Sequence, residues 1–151
     1  MQFDQPISTN SAQKTKDVGF ELVQHVLKQK RGEGASILCL YGELGSGKTT
    51  FAQGFAQGLG ITQRLLSPTF IIVRRYSFSK ENRNFYHLDL FRLETSDELE
   101  ELGIPEIFSD SGSFMLIEWA EKLGEFLPKH RIDVRFSVEE DGSHTIEVTH
   151  G

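Results

Sequence analysis

The chain predicts an α/β domain built in three layers around a mixed parallel and antiparallel sheet. A continuous apolar run, Ala35–Tyr41, suits a strand buried on both faces, as in a mostly parallel sheet. It leads directly into a glycine-rich turn, Gly42–Gly47, and then into a segment with apolar residues at helical spacing. Later runs of strand character come in pairs around short polar turns, the pattern of antiparallel hairpins.

Each element has its own local reason. Around Thr15–Lys30, Val18, Leu22, Val23, Val26 and Leu27 recur at helical spacing, and Gly32 and Gly34 break the pattern. In Lys48–Leu59 the apolar Phe51, Phe55, Ala56 and Leu59 share one side, and Gly60 stands where a C-terminal cap belongs. Phe70–Phe78 and Asn84–Phe91 flank the polar turn Ser79–Arg83. Ser96–Leu102 is an acidic helical segment with Ser96 placed to cap it, and Phe114–Ile117 is a short apolar strand ending at Glu118. Arg131–Val138 and His144–Thr149 alternate apolar with polar residues around Glu139–Ser143, whose Asp141-Gly142 pair favours a tight turn. No repeat, low-complexity tract or linker divides the chain, so residues 1–151 read as one domain.

Composition excludes several classes. With 38% hydrophobic and 25% charged residues the chain is globular. Cys39 is the single cysteine, so no internal disulfide forms; a reducing cytosol is the simplest setting, with Cys39 acting as a small buried hydrophobe. No run approaches the roughly 18 apolar residues that span a bilayer. Met1–Asn10 lacks the basic and apolar regions of a secretory signal, so a cytoplasmic protein without membrane contact is expected. The net charge of −6 argues against a free-standing nucleic-acid binder. Charge is uneven, with a basic excess over residues 61–92 and an acidic excess over 93–125, an asymmetry found both in docking surfaces and in ordinary solvated faces.

Gly42-Glu43-Leu44-Gly45-Ser46-Gly47-Lys48-Thr49 fits G-x-x-x-x-G-K-[ST] in full, between a buried strand and a helix. The glycines let backbone N–H groups turn inward as an anion nest, and the following helix points its positive end at the same phosphates. Lys48 supplies a point charge at the β- and γ-phosphates, and the Thr49 hydroxyl is the expected Mg²⁺ ligand. The architecture is thus that of a P-loop NTPase-like domain. Such a site also needs a carboxylate near the metal at the end of a neighbouring strand, and Asp89 and Glu118 are the two candidates. His87 either tunes a nearby carboxylate or fills a strand position, and the sequence favours filling. Trp119 either flanks the nucleotide or packs in the core, and the sequence favours packing. The Asn-Lys-x-Asp segment that reads guanine is absent, so ATP is preferred over GTP.

These motifs together resemble the bacterial TsaE (YjeE-type) ATPases. The resemblance is carried by Leu40–Phe51, Ser67-Pro68-Thr69-Phe70, the His87–Leu93 segment and Glu118-Trp119-Ala120-Glu121, in the family's order and spacing, with Thr15 and Gly19 matching in the first helix. It implies an ATPase that supports N6-threonylcarbamoyladenosine formation in tRNA by acting on a complex of TsaB-type and TsaD-type partners, with tRNA contact indirect or transient. It implies a nucleotide set of Thr15, Glu43, Leu44, Gly45, Ser46, Gly47, Lys48, Thr49, Thr50 and Trp119. Thr49 and Glu118 would hold the metal, Thr69 and Asp89 would lie in two switch segments, and Lys48, Asp89 and Glu118 would serve hydrolysis. Three positions depart from the family pattern. Phe91 replaces the usual Tyr, Ala120 replaces a frequent Pro, and His144 stands near where many members place an Arg. The alternatives are a small-molecule kinase, for which Arg74, Arg75, Arg83 and Arg92 would have to act as a lid, and a regulator that binds nucleotide without hydrolysis.

Overall fold

The apolar run forms strand β2 (Ser36–Tyr41), in which Leu38, Cys39 and Leu40 are inaccessible to solvent. In the computed structural model, which describes residues 1–29, 34–63, 65, 73–79 and 81–150, β2 is the middle strand of a seven-stranded sheet. The others are β1 (Ile7–Thr9), β3 (Val73–Phe78), β4 (Arg83–Asp89), β5 (Phe114–Glu118), β6 (Ile132–Val138) and β7 (His144–His150). Their order is β1-β7-β6-β2-β5-β4-β3. The central pairs β6–β2, β2–β5 and β5–β4 are parallel, and the outer pairs are antiparallel, which makes the sheet mixed as expected.

Strand alternation assigns the two faces. Leu38 and Leu40 of β2, Phe85 of β4 and Phe114 and Leu116 of β5 pack under helices α1 (Ala12–Leu27) and α2 (Lys48–Gly58). Ile37, Cys39, Leu88, Met115 and Ile117 face the other way, under α3 (Asp97–Glu101), α4 (Ile104–Phe108) and a 3₁₀ segment, Ala120–Phe126. Each such side chain removed from water contributes about 1.5–3 kcal/mol, so the two clusters fix the three layers.

Helices α1 and α2 cross closely because glycines meet backbone there. A Cβ on Gly19 would lie 2.2 Å from the Phe51 carbonyl oxygen, and one on Gly54 would lie 1.9 Å from that of Lys16. The end of α2 follows the expected cap. Gly60 takes φ 84° and donates to the Gln57 carbonyl, while Ile61 N donates to Ala56, the paired bonds of a Schellman motif.

Several boundaries differ from the sequence reading. The first helix begins at Ala12, because Ser11 caps it by accepting from Lys14 N at 3.1 Å. Ser96 does not cap α3 through its side chain; its backbone is already helical. Arg83 belongs to β4, and the strand ends at Asp89, beyond which Leu90 N donates to the Glu118 carbonyl. Residues 70–72 of the expected hairpin lie outside the described residues. Strand β1, helix α4 and the 3₁₀ segment were not anticipated.

Candidate functional site

The topology brings three strand ends and one helix start to the same edge of the sheet. Strand β2 runs into the glycine loop, and α2 opens at Lys48 behind Gly47, whose φ of 107° only glycine adopts readily. Strands β4 and β5 are parallel and in register, so Asp89 stands opposite Glu118. A cleft of about 480 Å³ lies over this edge. Its walls include Thr15, Leu44, Gly45, Gly47, Lys48, Thr49, Thr50, Asp89, Glu118 and Trp119. Most of the residues singled out in the sequence therefore meet in one place, although they are spread over a hundred positions of chain.

The polar contacts are specific. The Thr49 hydroxyl donates to Glu118, at 3.1 Å to Oε1 and 3.4 Å to Oε2. His87 Nε2 lies 2.6 Å from the Glu118 Oε2. Lys48 is folded back on its own loop, donating to the Gly42 carbonyl and, at 3.5 Å, to that of Glu43. Its ammonium also sits 3.9 Å from the centre of the Trp119 ring. Burial lowers the Lys48 pKa from its ordinary value, against the opposing pull of Glu118 and other carboxylates. Burial raises that of Asp89, and Glu118 adds to the rise, while the Phe91 N–H and the Lys48 charge oppose it.

This donor set suits phosphate with a divalent cation. Among the described residues Ser46 Oγ is buried without a partner, and Gly42, Gly45 and Gly47 take the positive φ that glycine allows. Among the described residues no three His, Cys, Asp or Glu side chains form a metal cage. A cation here would be held by Thr49, Glu118 and oxygens of the ligand itself, the usual manner of Mg²⁺ at phosphates.

The remaining positions are informative. Trp119 packs beside the second core cluster, as the sequence favours, and also lines the cleft. Its φ of 59° is uncommon for a bulky residue and is held at the cleft wall. The Thr15 hydroxyl is bonded to that of Thr9 at 2.8 Å, with both residues buried. Ser46 and Glu43 do not line the cleft, but the Ser46 carbonyl accepts from His144 Nδ1 at 2.7 Å. Phe91 packs against Trp119 with ring centres 5.0 Å apart. Arg83, which a kinase lid would need, donates to the Gly112 carbonyl. Thr69 lies outside the described residues.

The sequence reading missed Asn10, Ser11, Ala12 and Gly142 as cleft residues. Ser11 carried a usable signal, an N-cap side chain directly before a periodic run. Gly142 carried none, because a turn residue does not say what its turn faces.

Comparison with known proteins identifies the family. A sequence profile described as "Threonylcarbamoyl adenosine biosynthesis protein TsaE" matches residues 9–146. A tRNA threonylcarbamoyladenosine biosynthesis protein TsaE of Bacillus subtilis is 46% identical over 98 residues, 65% of this chain and 59% of that protein. The protein of the same name from Haemophilus influenzae is 38% identical over 116 residues, 77% of this chain and 72% of its own length. The matched region thus spans less than two thirds of the first relative's length and more of the second's. The crystal structure of Bacillus subtilis YdiB superposes with a TM-score of 0.75 at 28% identity, covering 97% of this chain and 86% of that one. With a profile match across most of its length and relatives of this identity, the chain belongs to the TsaE family, whose place is in tRNA threonylcarbamoyladenosine biosynthesis.

Proposed function

We propose that the chain binds ATP with Mg²⁺ in the Gly42–Thr49 cleft and hydrolyses it, in support of tRNA threonylcarbamoyladenosine formation by a complex of TsaB-type and TsaD-type partners. The observation that carries this reading is the meeting of Lys48, Thr49 and Glu118 at one cleft, with Asp89 in register beside Glu118. The loop amides and the start of α2 bind the phosphates. Lys48 leaves the Gly42 carbonyl for the β- and γ-phosphate oxygens, exchanging a neutral acceptor for anionic ones. Thr49 and Glu118 would hold Mg²⁺ together with the phosphates, and the ion would neutralise the charge that spreads over the transferring group. Asp89, whose raised pKa brings it nearer the range of a base, orients the attacking water. Catalysis is then positioning and charge compensation.

ATP is the nucleotide of this reading because the guanine-reading Asn-Lys-x-Asp segment is missing. A cytoplasmic setting fits the pathway, and among the described residues no helix is long and apolar enough to cross a membrane. The test measures ATP turnover by the chain alone and with its purified partner complex and tRNA. Turnover stimulated by the partners is expected, and turnover that requires a small-molecule acceptor would mean a kinase. Lys48→Ala is expected to abolish ATP-dependent modification; cells with this variant and normal threonylcarbamoyladenosine levels would sink the reading.

A further inference from the structure

His87 stands behind the cleft wall, not in it, and is 0% exposed. In β4 it shares a face with Phe85 and Asp89, the face covered by α1 and α2. Its register partner on β5 is Leu116, one turn of the pleat short of Glu118, so its ring reaches forward along the sheet. There Nε2 meets Glu118 Oε2 at 2.6 Å, and Glu118 is itself only 3% exposed. Phe85 fixes the plane of the imidazole, lying 6.3 Å away at an interplanar angle of 16°.

A carboxylate oxygen accepts, so Nε2 is the donor of this bond, and among the described residues Nδ1 is buried without a partner. A residue that merely filled this strand position would be apolar, because an unpaired ring nitrogen costs free energy to bury. Meanwhile Glu118 has a competing attraction. The Lys48 ammonium feels its charge. Held by His87 on one oxygen, Glu118 keeps the other on the Thr49 hydroxyl.

We propose that His87 is the positioning residue of the cation site, its Nε2–H fixing the Glu118 rotamer so that Oε1 and the Thr49 hydroxyl face the metal together. This rests on the reading of Glu118 as a Mg²⁺ ligand. Partners that hold a metal ligand from behind commonly contribute ten- to a hundredfold to metal affinity. Among the described residues Asp89 has no such side-chain holder; its Oδ1 accepts from Phe91 N, which points it along its own turn.

The experiment measures ATP affinity calorimetrically with and without Mg²⁺, together with melting temperature, for wild type, His87→Leu, His87→Gln and Glu118→Gln. His87→Leu is expected to weaken the Mg²⁺ dependence of binding about tenfold or more, while Mg²⁺-free ATP affinity stays within twofold. His87→Gln, which keeps an N–H near the Nε2 position, should recover most of the loss. In the Glu118→Gln background, His87→Leu should add nothing, since the two act as one. Equal losses with and without Mg²⁺, or an undiminished Mg²⁺ response in His87→Leu, would overturn the proposal. Should His87→Leu fail to fold, His87→Asn against His87→Gln decides, because Asn places its amide near Nδ1 and must show the loss. The underlying reading fails separately, by a wild type without Mg²⁺-dependent binding or a Glu118→Gln variant that keeps it.

Discussion

At Asp89 the fold places a carboxylate where water is partly excluded and where a second carboxylate, Glu118, ends the adjacent strand. Folding raises its pKa, so between the ordinary value of 3.8 and the raised one the folded chain binds the proton more tightly than the unfolded chain. The resulting loss of stability is absent below pH 3.8, grows as pH rises through that window, and is complete above the folded value. Asp89→Asn keeps an acceptor for Phe91 N and cannot ionise. The ligand-free variant is therefore expected to melt higher than wild type at pH 7, with the gain vanishing below pH 3.8, and to lose ATP turnover. Melting curves at both pH values check the first, and a variant no more stable at pH 7 would contradict it. At this scale the sequence made the loop legible, because Gly42–Thr49 is contiguous and each type has a chemical reason. It favoured a filling role for His87, and it had no means of linking that residue to Glu118. Contacts such as His87–Glu118 and His144–Ser46 bridge 31 and 98 positions and depend on strand register.

Helices α1 and α2 show how an element can be governed by what is missing from it. Replacing Gly54 by Ala would gain roughly 1 kcal/mol of helix propensity, but its Cβ would meet the Lys16 carbonyl oxygen at 1.9 Å. Backbone cannot rotate away as a side chain can, so the overpacking cost, about 1–3 kcal/mol, should exceed the gain. Gly54→Ala is expected to lower the melting temperature by several degrees and to weaken nucleotide binding, since α2 begins at Lys48. An unchanged melting curve would show that the helices separate freely. Gly19 is explained by the same crossing, which a sequence presents only as a glycine inside a helical pattern. Longer elements were legible from their periodicity, whereas β1, with three residues, and α4, with five, are too short for a pattern to repeat. The Ser96 cap was misread because the helix turn there starts one residue early.

For the molecule as a whole, fold class followed from one buried strand leading into a phosphate loop, but strand order did not. Nothing local says that β1 pairs with β7 at one edge or that β3 forms the other. The central strand offers a probe of global stability: Cys39 is wholly buried, and burial pushes its thiol up to about 12. Labelling of Cys39 by a thiol reagent at pH 7 is expected to proceed only as fast as the native protein opens; rapid labelling without denaturant would mean that the sheet centre breathes locally. The antiparallel addition of β7 beside β6 carries a further consequence, for the order in which a ribosome delivers the chain. The loop, Lys48 and Glu118 all precede β7, yet the imidazole that grips the Ser46 carbonyl, and the partner strand that aligns Thr9 above Thr15, belong to the β6–β7 hairpin. A nascent chain stopped before Ser143 thus carries the motif without the clamp that shapes it. The shape of the loop is therefore completed from β7, the strand furthest from it in the chain.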